Sequence, residues 1–356
     1  MREDMPSRTK RADALELMDY QEVQHRIDGK RSYLLIGNGF SIACDPVFRY
    51  RSLYESAVAA GLSPRAQLLF ERIGTNNFEG VMRLLEDADW VARTYGLIQE
   101  DGSQMLEDLE VIKRTLVQAV ANSHLEQPGD IEESRKQAAA AFFAPYHIVF
   151  TTNYDLLPYW VVMAMGSPPP LEDCFRADQN EPDAPYLVFS QRLKEHRGLL
   201  HLHGALHLYL QDGELRKHSW TRTGRRLTDL IREGLEQGQF PLFVAEGKPE
   251  QKLQQIQGNG YLWYCHERLK SIQSPLVIFG HGFGSSDGHI LDAIASNIEL
   301  PEIFVGLHGD PESRSNLSIR EAAQLLVAKR ARHSERRKYH PLQLRFYSSD
   351  SVLVWG

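Results

Sequence analysis

Tyr33-Leu34-Leu35-Ile36-Gly37-Asn38-Gly39-Phe40-Ser41 is the stretch that decides the fold class. Four consecutive apolar residues stopped by glycine read as a short strand buried on both faces. Strands of that kind belong to parallel sheets covered by helices. The turn at the carboxyl end of such a strand is where an open α/β sheet meets a nucleotide. Two further runs repeat the pattern: His147-Ile148-Val149-Phe150 before Thr151-Thr152-Asn153-Tyr154-Asp155, and Leu276-Val277-Ile278-Phe279 before Gly280-His281-Gly282-Phe283-Gly284-Ser285-Ser286-Asp287.

Between the first two strands, from about Pro64 to Phe143, the pattern is helical. Val81, Leu84 and Leu85 recur at helical spacing, as do Leu106, Leu109, Ile112 and Leu116. The expected fold is α/β: a Rossmann-like, mostly parallel sheet with a helical insertion between its first and second strands. Residues 1–30 read as a polar N-terminal extension, 31–310 as the main domain, and 311–356 as a C-terminal helix and strands. Strand-like runs also occupy 186–189, 199–203, 206–210 and 242–245, with Gln211-Asp212-Gly213 as a hairpin signal. Helices are expected at 252–270, broken at Gly258-Asn259-Gly260, and from about Asp287 to Asn297.

The chain has 356 residues, 42% hydrophobic and 24% charged, with a formal charge of −7. That is ordinary globular composition, with no general attraction to nucleic acid or an anionic membrane. No run reaches the roughly 18–20 apolar residues that span a bilayer, and the polar N-terminus lacks the core of a signal peptide. The expected location is the cytoplasm. The basic run Lys329–Lys338 reads as a solvated helix end or linker. Cys44, Cys174 and Cys265 are scattered, so neither a disulfide framework nor a four-cysteine zinc module is expected.

The candidate chemistry lies at the strand ends. Gly37-Asn38-Gly39 puts flexible backbone where a phosphate is approached closely, or forms a plain strand-to-helix turn. Ser41 reads as a phosphate donor or a helix cap. Asn153 offers both a donor and an acceptor to a ribose or a water. Asp155 reads as a loop anchor or the cap of the next helix. His201 and His203 lie two apart in a strand-like run, hence on one face, and no third or fourth metal ligand is evident beside them. His203, next to Gly204, reaches a cleft and can take up a proton near neutral pH. The three glycines from Gly280 to Gly284 read as a ligand loop, with Ser285 or Ser286 capping the following helix.

Taken in order, these segments resemble the sirtuin-like NAD-binding superfamily, specifically its bacterial anti-phage-defence branch. Gly37, Gly39 and Ser41 match that family's Gly-x-Gly-x-Ser loop. Thr151, Asn153 and Asp155 match its Thr-x-Asn-x-Asp loop, and His203-Gly204 its His-Gly pair. Gly280, Ser286 and Asp287 match its late Gly-x-Ser-x-x-Asp loop. Asp45-Pro46-Val47-Phe48-Arg49 is similar to the flexible cofactor loop, and Asn76-Asn77-Phe78-Glu79 to the start of the helical insertion. The tract Phe243–Gly247 through Lys252 and Tyr261-Leu262 resembles an uncharacterised bacterial subfamily.

The resemblance implies hydrolysis of NAD to nicotinamide and ADP-ribose, with Asn153 and His203 catalytic. Gly37, Asn38, Gly39, Ser41, Thr152, Asp155, Gly280, Ser286 and Asp287 would bind the cofactor. It implies no zinc, since the deacylating members' cysteine module cannot be built here. It also implies a gated enzyme, assembled with itself or with an ATPase partner and depleting NAD in defence against phage. The alternatives are an NAD or ADP-ribose-derivative sensor without turnover, an NAD-dependent deacylase, and a mono-ADP-ribosyltransferase that leaves ADP-ribose attached to a protein.

Overall fold

The computed structural model describes residues 16–98, 103–191, 197–244, 248–334 and 341–356. Ala245-Glu246-Gly247, and the part of the basic run beyond Ser334, therefore lie outside the described residues, as do residues 1–15.

The apolar runs form the strands expected of them. The main sheet holds β1 (Tyr33–Ile36), β2 (Ile148–Thr151), β5 (Gly198–His201), β9 (Leu276–Phe279), β10 (Glu302–Leu307) and β11 (Gln343–Ser348). Its spatial order is β11-β10-β9-β1-β2-β5, and every pairing in it is parallel. Counted along the chain within this sheet, that is the order 3-2-1-4-5-6 of the doubly wound nucleotide-binding fold, with its reversal at β1. Burial on both faces explains the uninterrupted apolar runs. Leu34, Ile36, Val149 and Val277 face one core, built largely by the helices between β1 and β2. Tyr33, Leu35, Ile148 and Ile278 face the other, under the helices Gly260–Lys270 and Gly288–Ser296.

Between β1 and β2 stand the expected insertion helices Pro64–Ile73, Phe78–Thr94, Gln104–Ser123 and Glu133–Phe143. Short helices at Gly39–Cys44 and Tyr50–Ala59 precede them. A second sheet departs from the expected arrangement. β3 (Phe175–Arg176), β4 (Tyr186–Phe189), β6 (Gly204–Gln211), β7 (Glu214–His218) and β8 (Pro241–Phe243) form an antiparallel sheet of order β3-β4-β7-β6-β8. Its hairpin turns through Asp212 and Gly213, both at positive φ, as a two-residue turn matched to strand twist requires.

Both ends of the described chain are built into the body. Helix Tyr20–Ile27 carries a capping box from Asp19 and Glu22, and the Tyr20 hydroxyl lies 2.8 Å from that of Tyr146. At the other end, Trp355 Nε1 donates to the Phe40 carbonyl at 2.9 Å. Arg330 corrects the reading of the basic run as wholly solvated: its side chain is buried, while Arg332 is exposed. Among the described residues no helix is long and apolar enough to cross a membrane.

Candidate functional site

Register explains why the four segments meet. Ile36 pairs with Thr151 on one side and Phe279 on the other. The chain therefore leaves β1, β2 and β9 at one level, into the crevice at the reversal of strand order. There, a cleft of about 500 Å³ is lined by Gly37, Asn38, Gly39, Thr152, Asn153, Asp155, His203, Gly280, Ser286 and Asp287. Its far wall comes from the insertion, through Asn77, Phe78, Glu79, Leu116 and Val120, with Phe48 beside them. A volume of this size suits a ligand as large as a nucleotide.

The glycines have a more local reason than ligand approach. A Cβ on Gly37 would lie 2.7 Å from the Gly280 carbonyl oxygen, and one on Gly39 would lie 2.6 Å from the Gly280 Cα. Gly280 itself sits at φ +64°, pressed on Gly39. The two loops pack backbone to backbone, joined by Gly39 N–H donating to the Gly280 carbonyl at 2.9 Å.

Ser41 does not line the cleft. It is fully buried, donates to Asp155 Oδ2 at 2.6 Å, and accepts from Asn153 Nδ2 at 2.8 Å. Because its one proton goes to Asp155, Ser41 receives from Asn153, which fixes which end of that amide faces it. Asn153 Oδ1 is left buried without a hydrogen-bond partner. Asp155 also accepts from Leu157 N–H at 2.9 Å, just before helix Leu157–Ala164, although the cap position itself is Leu156 and carries no side-chain cap. Burial raises its carboxyl above the usual range, opposed by the nearby His124.

The histidine pair separates. β5 ends at His201 and the chain turns through Leu202 and His203 to Gly204, so strand alternation does not put both on one face. His201 packs on His207. His203 packs on Tyr154 and its Nε2 lies 2.8 Å from Nε2 of His289. Burial, then the neighbouring His289 and Lys252, hold His203 well below its ordinary pKa. Burial also pushes His289 down to about 4.

The serine cap expected before the helix at 287 does not form. A single 3-10 turn, Ser285–Asp287, precedes helix Gly288–Ser296, and no side chain caps it. Ser286 donates instead to Glu79 Oε2 at 2.8 Å. Lys252, fully buried, reaches the same oxygen at 3.0 Å and Asp287 Oδ1 at 3.5 Å. Burial raises the Glu79 carboxyl and the Lys252 charge opposes the rise. His281 Nδ1 accepts from Phe283 N–H, leaving Nε2 to face Asp287 Oδ2 at 3.5 Å.

Glu79, Lys252, His281 and His289 were not assigned from the sequence. Lys252 left one readable sign: it stands four residues before Ile256, so it shares the inner face of helix Pro249–Gln257. His289 likewise precedes Ile290 on the buried side of its helix. His203, His289 and Asp287 place ligand atoms within 4.8 Å of one another. The imidazole beside His203 is thus His289, and a third metal-ligating group does stand near it.

No curated protein matches this chain. A family model described as a domain of unknown function, DUF4917, matches residues 34–355, from Leu34 in β1 to Trp355, and the chain belongs to that family.

Proposed function

We propose that the chain binds NAD in this cleft and hydrolyses the bond between nicotinamide and ribose. The observation that carries this reading is the Asn153 carbonyl oxygen, buried and unpartnered in the cleft while Ser41 pins the amide's other end. A fixed acceptor of that kind orients a ribose hydroxyl or the attacking water. Nicotinamide leaves as a neutral base through a transition state of oxocarbenium character, so no acid is needed for departure. Water supplies the oxygen that replaces nitrogen on the ribose carbon, and His203 takes up its proton, directly or through a ribose hydroxyl. Burial keeps the ring neutral and free to accept, but also lowers its basicity. Contrary to the expectation from sequence, the free imidazole does not take up a proton near neutral pH; it acts as a base only toward a proton released in the reaction.

In this reading Gly37, Asn38, Gly39 and Thr152 lie along the pyrophosphate, and Gly280, Ser286 and Asp287 on the adenosine side. Ser41 and Asp155 position Asn153. The insertion that walls the cleft serves as the gate of an enzyme that depletes NAD in defence against phage.

The test is chromatographic. Purified protein is incubated with NAD, with and without an acyl-lysine peptide, and nicotinamide and ADP-ribose are quantified. Peptide-independent release of both in equal amounts is expected. Removing the base in His203→Ala should slow release by about 10²–10⁴, and Asn153→Ala should abolish it. Wild-type rates in His203→Ala would reject the assignment. Binding of NAD without release would instead make the protein a sensor.

A further inference from the structure

We propose that His203, His289 and Asp287 form a seat for a divalent transition-metal ion of the zinc class. Two imidazole nitrogens and a carboxylate oxygen converge there, all within 4.8 Å of one another. His203 Nε2 stands 2.8 Å from His289 Nε2 and 4.0 Å from Asp287 Oδ1. Bonds of about 2.0–2.2 Å in tetrahedral geometry place ligand atoms roughly 3.3 Å apart. The two rings therefore need to part by about 0.5 Å, and the carboxylate to approach by about 0.7 Å, to accept such an ion. Both are side-chain movements.

Three features beyond the convergence point to a cation. First, Asp287 Oδ1 is buried yet accepts no hydrogen bond. That oxygen stands 3.5 Å from Lys252 Nζ and 4.0 Å from His203 Nε2, while Oδ2 lies 3.5 Å from His281 Nε2. Second, the two facing Nε2 atoms are held together by at most one shared proton, as Nε2–H···Nε2, and an ion that displaces that proton finds a lone pair on each ring. A metal ion uses both. Third, Lys252 is shared between two carboxyl groups, Glu79 at 3.0 Å and Asp287 at 3.5 Å, so its charge does not belong to Asp287 alone. Lys252 also repels an incoming cation, which sets the sign of one test below. Two imidazoles and one carboxylate suit late first-row divalent metals better than calcium or magnesium, which take oxygen ligands.

The seat stands independently of NAD chemistry. Where His203 is the base of the proposed hydrolysis, zinc on its Nε2 also withdraws that lone pair and inhibits turnover; only this consequence rests on the hydrolase reading.

The experiment uses the full chain, stripped with chelator and without NAD. Zn²⁺ is titrated by calorimetry, and Co²⁺ is followed by its visible absorption. One ion per chain is expected, with d–d bands of nitrogen and oxygen coordination. His289→Ala and His289→Gln, the latter preserving a side-chain hydrogen bond to His203, should each weaken binding by at least tenfold. Lys252→Gln should tighten it, an effect that loss of packing alone does not produce. No saturable binding, or binding indifferent to both His289 substitutions, would overturn the proposal. Neither result depends on whether nicotinamide is released.

Discussion

Ser41→Ala isolates the relay that holds Asn153. The hydroxyl is fully buried, and its removal leaves two groups without partners: Asp155 Oδ2, which accepts at 2.6 Å, and Asn153 Nδ2, which donates at 2.8 Å. Each unsatisfied buried group costs about 1–3 kcal/mol. Burial raises the Asp155 carboxyl toward its neutral form, which favours the lower half of that range for the first contact. The sum is about 2–5 kcal/mol of stability. An alanine leaves a space smaller than a water beside two polar atoms, so solvent rescue is slight. The functional loss is separable. With Nδ2 released, the amide turns and Oδ1 leaves its place, and a shift of about 1 Å in a positioning group costs on the order of 10²-fold in rate. Urea unfolding followed by circular dichroism measures the first term, and nicotinamide release at saturating NAD, below the unfolding transition, measures the second. Ser41→Thr keeps the hydroxyl and should recover most of the rate. An alanine variant within 0.5 kcal/mol of the parent, with unchanged turnover, would refute the relay.

Three further outcomes follow from the same geometry. Gly39→Ala drives a Cβ to 2.6 Å from the Gly280 backbone. It should destabilise by about 1–3 kcal/mol or more, as overpacking does, whereas Ala at Gly282, where nothing lies within 4 Å, should be well tolerated in the same denaturation assay. Lys252→Met leaves Glu79 and Asp287 facing each other without their cation. The Glu79 pKa, already raised by burial, rises further, so the folded state binds a proton that the unfolded chain does not. The variant should lose stability as pH rises and regain it as pH falls, with Lys252→Met/Glu79→Gln restoring a flat profile in thermal melts. His201 and His289 are pushed down to about 4 by burial. The unfolded chain takes up their protons below about 6.5 while the folded chain refuses them until about 4. Each should therefore withdraw about 1.4 kcal/mol per pH unit as pH falls through that window. His201→Gln should remove its share of the slope, and an unchanged slope would deny that burial holds that ring neutral.

Much of the fold was legible because the main sheet is made of short strands buried on both faces. Leu34, Ile36, Val149 and Val277 cannot be anything but interior, and a glycine or threonine turn follows each run. The register that brings Gly37, Thr152 and Gly280 to one level then follows from parallel pairing of equal strands. The antiparallel sheet was not legible as a unit. β4 pairs with β7 across a long gap in sequence, and neither strand carries a signal naming its partner. At the site, Asn153, His203 and Asp287 stood out because glycines and strand ends flank them. Glu79, Lys252 and His289 did not, since a charged residue on a helix reads as solvated until tertiary packing buries it. The two glycine loops carried a double meaning: sequence pattern cannot tell close approach to a ligand from close approach of one loop to another, and Gly37, Gly39 and Gly280 make the second.

The ion group of Glu79, Lys252 and Asp287 is hard to understand as a source of stability. Desolvating three charges offsets most of their mutual attraction, and apolar residues of the same volume commonly hold a fold as well. Its placement argues for a different role. Glu79 lies in the first turn of an insertion helix, Lys252 on a helix before β9, and Asp287 at the end of the loop that follows β9. One buried ammonium therefore joins the insertion wall to the glycine loop across the cleft, and Ser286 fastens the same Glu79 oxygen from the loop side. Movement of the insertion away from that loop would strand Lys252 with half its compensation. Movement with the loop would keep every contact. The polar joint thus ties the insertion to the β9 loop, and opening the cleft between them requires Lys252 to give up Glu79 or Asp287.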